Sequence, residues 1–200
     1  MIKKIMIKSS FLLLLTLTFI GCNQQLENNN SYNISNENEE YKTSDFNEMP
    51  ELLPIDFQII FTFGVEQANQ HDGINTQDGT VQKDLVLDGL AISNIKVNKQ
   101  NLKEIYNLLK DINIISYPNN YKPSYMENPP EDTIKYVTPS NVYDIWIKYD
   151  GKEYSLYWHD SNASEIEEAN ILREALEEIK KIIRSFEEYK DLGEPNGGYD

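Results

Sequence analysis

Apolar residues recur in this chain at two spacings, every second position and every third or fourth, and the switches between them mark its elements. Ile55, Phe57, Ile59, Phe61 and Phe63 alternate, which predicts a strand over residues 55–63 with its large groups on one face. Residues 65–80 read as a loop with Asp-Gly steps at Asp72-Gly73 and Asp78-Gly79. Strands follow over 81–87 and 90–97, with a turn at Asp88-Gly89. Asn98 is a good N-cap, and Val97 and Leu102 are spaced as a hydrophobic staple. Leu102, Ile105, Tyr106, Leu109 and Ile112 then form one helical stripe that ends near residues 111–113.

The sharpest local signal is Asp150-Gly151, a two-residue hairpin turn between alternating segments. Pairing Tyr149 with Lys152 sets Ile147 opposite Tyr154, Ile145 opposite Leu156 and Tyr143 opposite Trp158 on a core face. The other face pairs Lys148 with Glu153, Trp146 with Ser155 and Asp144 with Tyr157, and should be half-solvated. A slip of one residue would turn the apolar set outward, so this register has few rivals. The last helix is expected to start near Ser164, where Ser164 and Glu167 make a capping box. Its stripe is Leu172, Leu176, Ile179, Ile183 and Phe186, widened by Ala169, Ala175 and Ile182, and Gly193 and Pro195 end it.

Together these elements predict one α+β domain over residues 51–200. Its expected form is an antiparallel sheet of about five strands with two helices packed on one face. Between the first helix and the hairpin, Pro118, Pro123, Pro129, Pro130 and Pro139 deny residues 117–139 long helices or central strands. That stretch also carries Tyr117, Tyr121, Tyr125 and Tyr136. A long proline-stiffened loop rich in tyrosine is a candidate binding surface, with Trp146 and Tyr157 of the hairpin beside it.

One apolar run belongs to no domain. Phe11 to Ile20 is ten residues preceded by Lys3, Lys4 and Lys8, the layout of a secretory signal peptide. As a helix it reaches about 15 Å, half of the roughly 30 Å that a membrane span needs. Gly21 and Cys22 follow, and the junction resembles a bacterial lipobox, with Phe19 standing where Leu is usual. The resemblance implies residues 1–21 as a lipoprotein signal peptide and a diacylglyceryl group on the Cys22 sulfur. The protein would then be held at the cell membrane, facing outside the cytoplasm. Residues 22–50, rich in Asn, Glu, Ser and Gln, read as a flexible tether.

Charge narrows the partners. The chain carries a net −15. Without residues 1–21 it would have 15 basic against 33 acidic residues, a net −18. Nucleic acid is disfavoured because phosphate contacts need a basic face. An anionic bilayer would repel the domain, so a lipid must do the holding. Cys22 is the only cysteine, so there is no disulfide and no thiolate metal site in the domain.

Candidate chemistry is sparse. Asp72, Asn75 and Asp78 in a glycine-containing loop are weak calcium candidates, but the next EF-hand ligand positions hold Ile74 and Thr76. His71 and His159, with Asp72 and Asp160, could make a zinc site only if the fold brings them together. No Gly-x-Ser-x-Gly elbow, His-Glu-x-x-His helix or phosphate loop occurs. No cofactor and no catalytic residue are expected.

Asn75-Thr76-Gln77-Asp78-Gly79-Thr80 with Lys83-Asp84, the later Tyr117-Pro118, and the closing Pro195-Asn196-Gly197-Gly198-Tyr199 resemble segments of uncharacterised lipoproteins of Bacillus-like bacteria. The resemblance covers roughly residues 55–200 and implies export and anchoring, with no activity. The expected function is therefore a non-enzymatic, lipid-anchored extracytoplasmic module that binds a protein at the cell envelope. The alternative is a lipoprotein for a small ligand, wall glycan or calcium.

Overall fold

The computed structural model describes residues 48–123, 136–162 and 166–199, without the side chains of residues 136, 137 and 162. The strands are β1 (Gln58–Val65), β2 (Asp72–Asn75), β3 (Thr80–Asp84), β4 (Leu90–Asn94), β5 (Asn120–Tyr121), β6 (Tyr136–Tyr149) and β7 (Lys152–Asn162). The helices are α1 (Lys99–Asp111), α2 (Glu167–Ser185) and α3 (Glu187–Lys190), with a 3-10 turn at Ile114–Ser116. The strands form one sheet in the order β4-β3-β2-β1-β6-β7-β5. The class is α+β, as the pattern implies. The sheet is larger than expected and mixed, because β5 runs parallel to β7.

The β6–β7 hairpin has the expected register at every pair from Tyr149↔Lys152 to Tyr143↔Trp158. Its turn places both Asp150 (φ 47°) and Gly151 (φ 71°) in the left-handed region, as a tight hairpin turn requires. The Asp56 carboxylate accepts the amide N–H groups of Asp150 and Gly151 at 2.8 Å each. The Gly151 bond is the main reason that this carboxyl is held below its ordinary pKa.

β1 lies along β6 from Gln58↔Lys148 to Val65↔Asn141. Ile59, Phe61, Phe63, Tyr143, Ile145, Ile147, Leu156 and Trp158 are therefore buried on one face. α1 brings Ile105, Tyr106 and Leu109 to that core, and α2 brings Leu172, Leu176, Ile179 and Ile183. The Asn98 side chain caps α1 by accepting the Asn101 N–H at 2.8 Å.

Several boundaries move. Ile55 is fully exposed, because the chain turns at Pro54–Phe57 before β1 begins. β2 forms within the expected loop, made possible by Gly73: a Cβ there would stand 2.5 Å from the Phe61 carbonyl oxygen. The strands expected over 81–87 and 90–97 are shorter, at Thr80–Asp84 and Leu90–Asn94. α2 starts at Glu167 with no side-chain cap, and Ser164 lies outside the described residues. Phe186 adopts an extended conformation (φ −65°, ψ 136°) that breaks α2 from α3, so the helix stops well before Gly193. The domain also reaches back into the expected tether. Met49 is buried, and the Pro50 carbonyl accepts the Tyr106 hydroxyl at 2.5 Å.

Phe61 is wholly buried at the centre of the sheet, so Phe61→Ala should destabilise the domain by about 3–5 kcal/mol, measured by urea unfolding. Burial pushes the Tyr106 phenol up to about 12, from 10.0 for a free tyrosine. The unfolded chain therefore loses this proton first. Stability should be unaffected by this group below pH 10 and fall as pH rises from 10 through about 12. Phenolate absorbance followed alongside circular dichroism checks this.

Candidate functional site

The six aromatic residues singled out as a binding surface separate into three groups. Tyr117 and Tyr121 turn inward and are buried, so they are corrected to core positions. Their rings meet edge-on at 5.1 Å, and Tyr121 meets Trp158 at 5.4 Å. For Tyr121 the physical cause is the short strand β5, which lies beside β7 with Tyr121 opposite Trp158, so that it takes that residue's inward direction. Burial raises the Tyr117 phenol above its ordinary value. Tyr125 and the side chain of Tyr136 lie outside the described residues. Trp146 and Tyr157 are on the sheet face opposite the helices, as expected.

That open face is the site's frame. Trp146 is half-buried between Ile60 and Ser155, its cross-strand neighbours. Tyr157 pairs with Asp144 and Asn120 and is 45% exposed. Trp146↔Ser155 and Asp144↔Tyr157 are successive pairs on this face, so the two aromatic groups are diagonal neighbours with Cα atoms roughly 7–8 Å apart. Beside Tyr157 a recess of about 350 Å³ is bounded by Asn120, Lys122, Pro123, His159 and Ser161. The site is a broad, weakly concave surface with aromatic area and a polar margin.

At the end of this face Ser140, His159 and Glu66 make a hydrogen-bonded triangle that no local motif announces. Ser140 Oγ lies 2.7 Å from His159 Nε2 and donates to Glu66 Oε2 at 3.0 Å, and that oxygen is 3.3 Å from the same Nε2. A serine nucleophile must pass its proton to the imidazole. Here the hydroxyl reaches both the imidazole and the carboxylate, but Ser140 is only 3% exposed, so a substrate has little access to it. The triangle braces β6, β7 and the segment after β1.

On the helix face Asp160 is buried and takes two bonds from Arg173, at 2.7 Å from Nε and 2.8 Å from Nη2. The guanidinium also lies 5.5 Å from the Trp158 ring centre.

The weak metal candidates are not brought together. Asp72 and Asn75 are three residues apart on β2, so they point to opposite faces. The Asp72 carboxylate accepts the Tyr189 hydroxyl at 2.7 Å and the Asp84 N–H at 2.9 Å. Asn75 Oδ1 accepts the Gln77 and Asp78 N–H groups, and its Nδ2 donates to Asp78 at 2.8 Å, so both residues build the turn. His71 follows the register to a place opposite Gly64, and Gly64 pairs with Val142, which pairs with His159. The two histidines are thus three strand spacings apart, roughly 14 Å. Among the described residues no group of three His, Cys, Asp or Glu could hold a metal ion.

Comparison with family models, curated proteins and solved structures gives no match. Among the described residues no helix is long and apolar enough to cross a membrane.

Removing the Arg173 charge leaves Asp160 buried and unpaired. Arg173→Met should therefore cost about 3 kcal/mol in urea unfolding. Adding Asp160→Asn should recover part of that loss, because it removes the stranded charge.

Proposed function

We propose that this protein is a lipid-anchored, extracytoplasmic module that binds another protein at the cell envelope and catalyses no reaction. One observation carries the binding part: Trp146 and Tyr157 lie together on a sheet face that the helices leave open. Tyr and Trp supply large contact area at low entropic cost, which suits a protein partner. The anchor rests on the sequence: the Lys-flanked apolar run, Gly21 and Cys22, with an acidic chain that an anionic membrane would not itself attract. The likeness to lipoproteins of Bacillus-like bacteria agrees with the anchor.

A second reading has its own observation. The recess beside Tyr157 joins an aromatic ring to Asn120, Lys122 and Ser161, a combination that suits a wall glycan fragment. Calcium has no such support, since Asp72 points away from Asn75 and Asp78, which bond each other to build a turn.

Cys22→Ala should abolish lipid labelling and leave the protein released or unprocessed, and normal labelling in that variant would refute the anchor. Trp146→Ser with Tyr157→Ser should leave folding intact and reduce in-cell crosslinking to the partner at least tenfold. Unchanged crosslinking would refute the open face as the binding surface. Saturable binding of glycan fragments that these substitutions abolish, with no crosslinked protein, would replace the first reading by the second.

A further inference from the structure

The sheet ends at β4, and among the described residues no strand pairs with its outer side. Two bonds fix which way its backbone points. Ile95 N–H donates to the Gly79 carbonyl at 2.8 Å, and Leu85 N–H donates to that of Gly89 at 2.8 Å. Hydrogen-bonded pairs alternate along an antiparallel ladder, so Ala91 and Ser93 turn their backbone groups to β3. Leu90, Ile92 and Asn94 turn theirs outward. Such a row fits an extended strand. Three of the usual protections of an exposed edge are missing from Leu90–Asn94: it contains no proline and no charge, and it pairs with β3 without a bulge. The Ile92 side chain is 59% exposed.

We propose that the occupant of this edge is a second copy of the chain, with β4 pairing antiparallel to β4 about a two-fold axis at Ile92. The register follows from the outward residues. Only Ile92 opposite Ile92 uses all three, with Leu90 opposite Asn94 at both ends. Charge selects the same register. It brings the exposed Asp88 of each copy, in the turn just before β4, to the same end as the exposed Lys96 of the other, an attractive pair at both ends. A shift of two residues either way carries Asp88 toward Asn94, or Lys96 toward Leu90, and loses both pairs. The net −15 of each chain opposes association, but at physiological salt charges beyond about 8 Å are largely screened, so the local pairs dominate. A five-residue strand offers less area than a standard interface, so the association is concentration-dependent. Paired residues share a face, so the open faces of both copies lie on the same side of a continuous sheet.

Disulfide trapping of the full chain carrying Cys22→Ser, so that the introduced cysteine is its only thiol, tests this. Ile92→Cys should give an oxidised dimer, and Gln77→Cys, an exposed turn position away from the edge, should not. Adding Asp88→Lys should lower the trapped fraction several-fold, and adding Lys96→Asp to that variant should restore it. Ile92→Pro removes only an outward N–H, so it should leave the melting temperature within a few degrees of the parent and abolish the concentration-dependent rise in sedimentation coefficient. Trapping of Ile92→Cys no better than Gln77→Cys, failure of the charge exchange to restore it, or capture of a different protein by Ile92→Cys would each overturn the pairing.

Discussion

One carboxylate holds the sheet's geometry at its centre. Asp56 grips the two amides of the β6–β7 turn just before its own segment becomes β1. The turn is thereby fixed against the start of the strand that must lie beside β6. Because side chains alternate with a period of two, this anchoring agrees with the register in which the apolar residues of three adjacent strands face the helices. Ile59, Phe61 and Phe63 fall in line with Tyr143, Ile145 and Ile147, and these with Leu156 and Trp158. The helical stripes then have one apolar surface to cover, and the reverse side is left with Trp146, Tyr157, Ile60 and polar neighbours.

That division explains why the candidate site is a surface rather than a cleft. Both main helices are committed to the core side, where their apolar stripes are buried. The buried charges are committed there too. Asp160 is held by Arg173, and Lys83 and Lys180 are covered by aromatic rings, at 5.3 Å from the Tyr189 and Phe63 centres. The reverse face carries Trp146 and Tyr157, with Ser140, His159 and Glu66 at its end.

Signals that a short window contains were legible in the sequence. Asp150-Gly151 with alternation on both sides specifies turn, register and face together, and Asn98 specifies a helix start. Signals that depend on distant neighbours were not. Asp72-Gly73 reads locally as a turn, and becomes part of β2 because Gly73 admits the Phe61 carbonyl. Tyr117 and Tyr121 read as loop tyrosines, but Tyr121 is drawn inward by its pairing with Trp158, and Tyr117, just after the 3-10 turn, packs edge-on against it. Lys180, a charged residue within α2, is buried beside Glu177, with a contact of 2.5 Å. Of the site, Trp146 and Tyr157 were visible by parity. Ser140 and Glu66 were not, since 74 residues separate them.

The residues after α2 give the fold a temporal order. Tyr189 bonds Asp72, Lys83 bonds the Gly193 carbonyl, Asn196 bridges Val86, and Tyr199 bonds Asp84. These contacts span more than a hundred residues, so during synthesis they can form only once residues 189–199 have been made. A growing chain can complete the Asp56-gripped hairpin and much of its core while the β2–β3 flank still lacks its covering. Until residues 189–199 arrive, that flank offers an unfinished sheet to any extended segment nearby. Residues 189–199 therefore act as a latch on the β2–β3 flank, while the outer edge of β4 stays open.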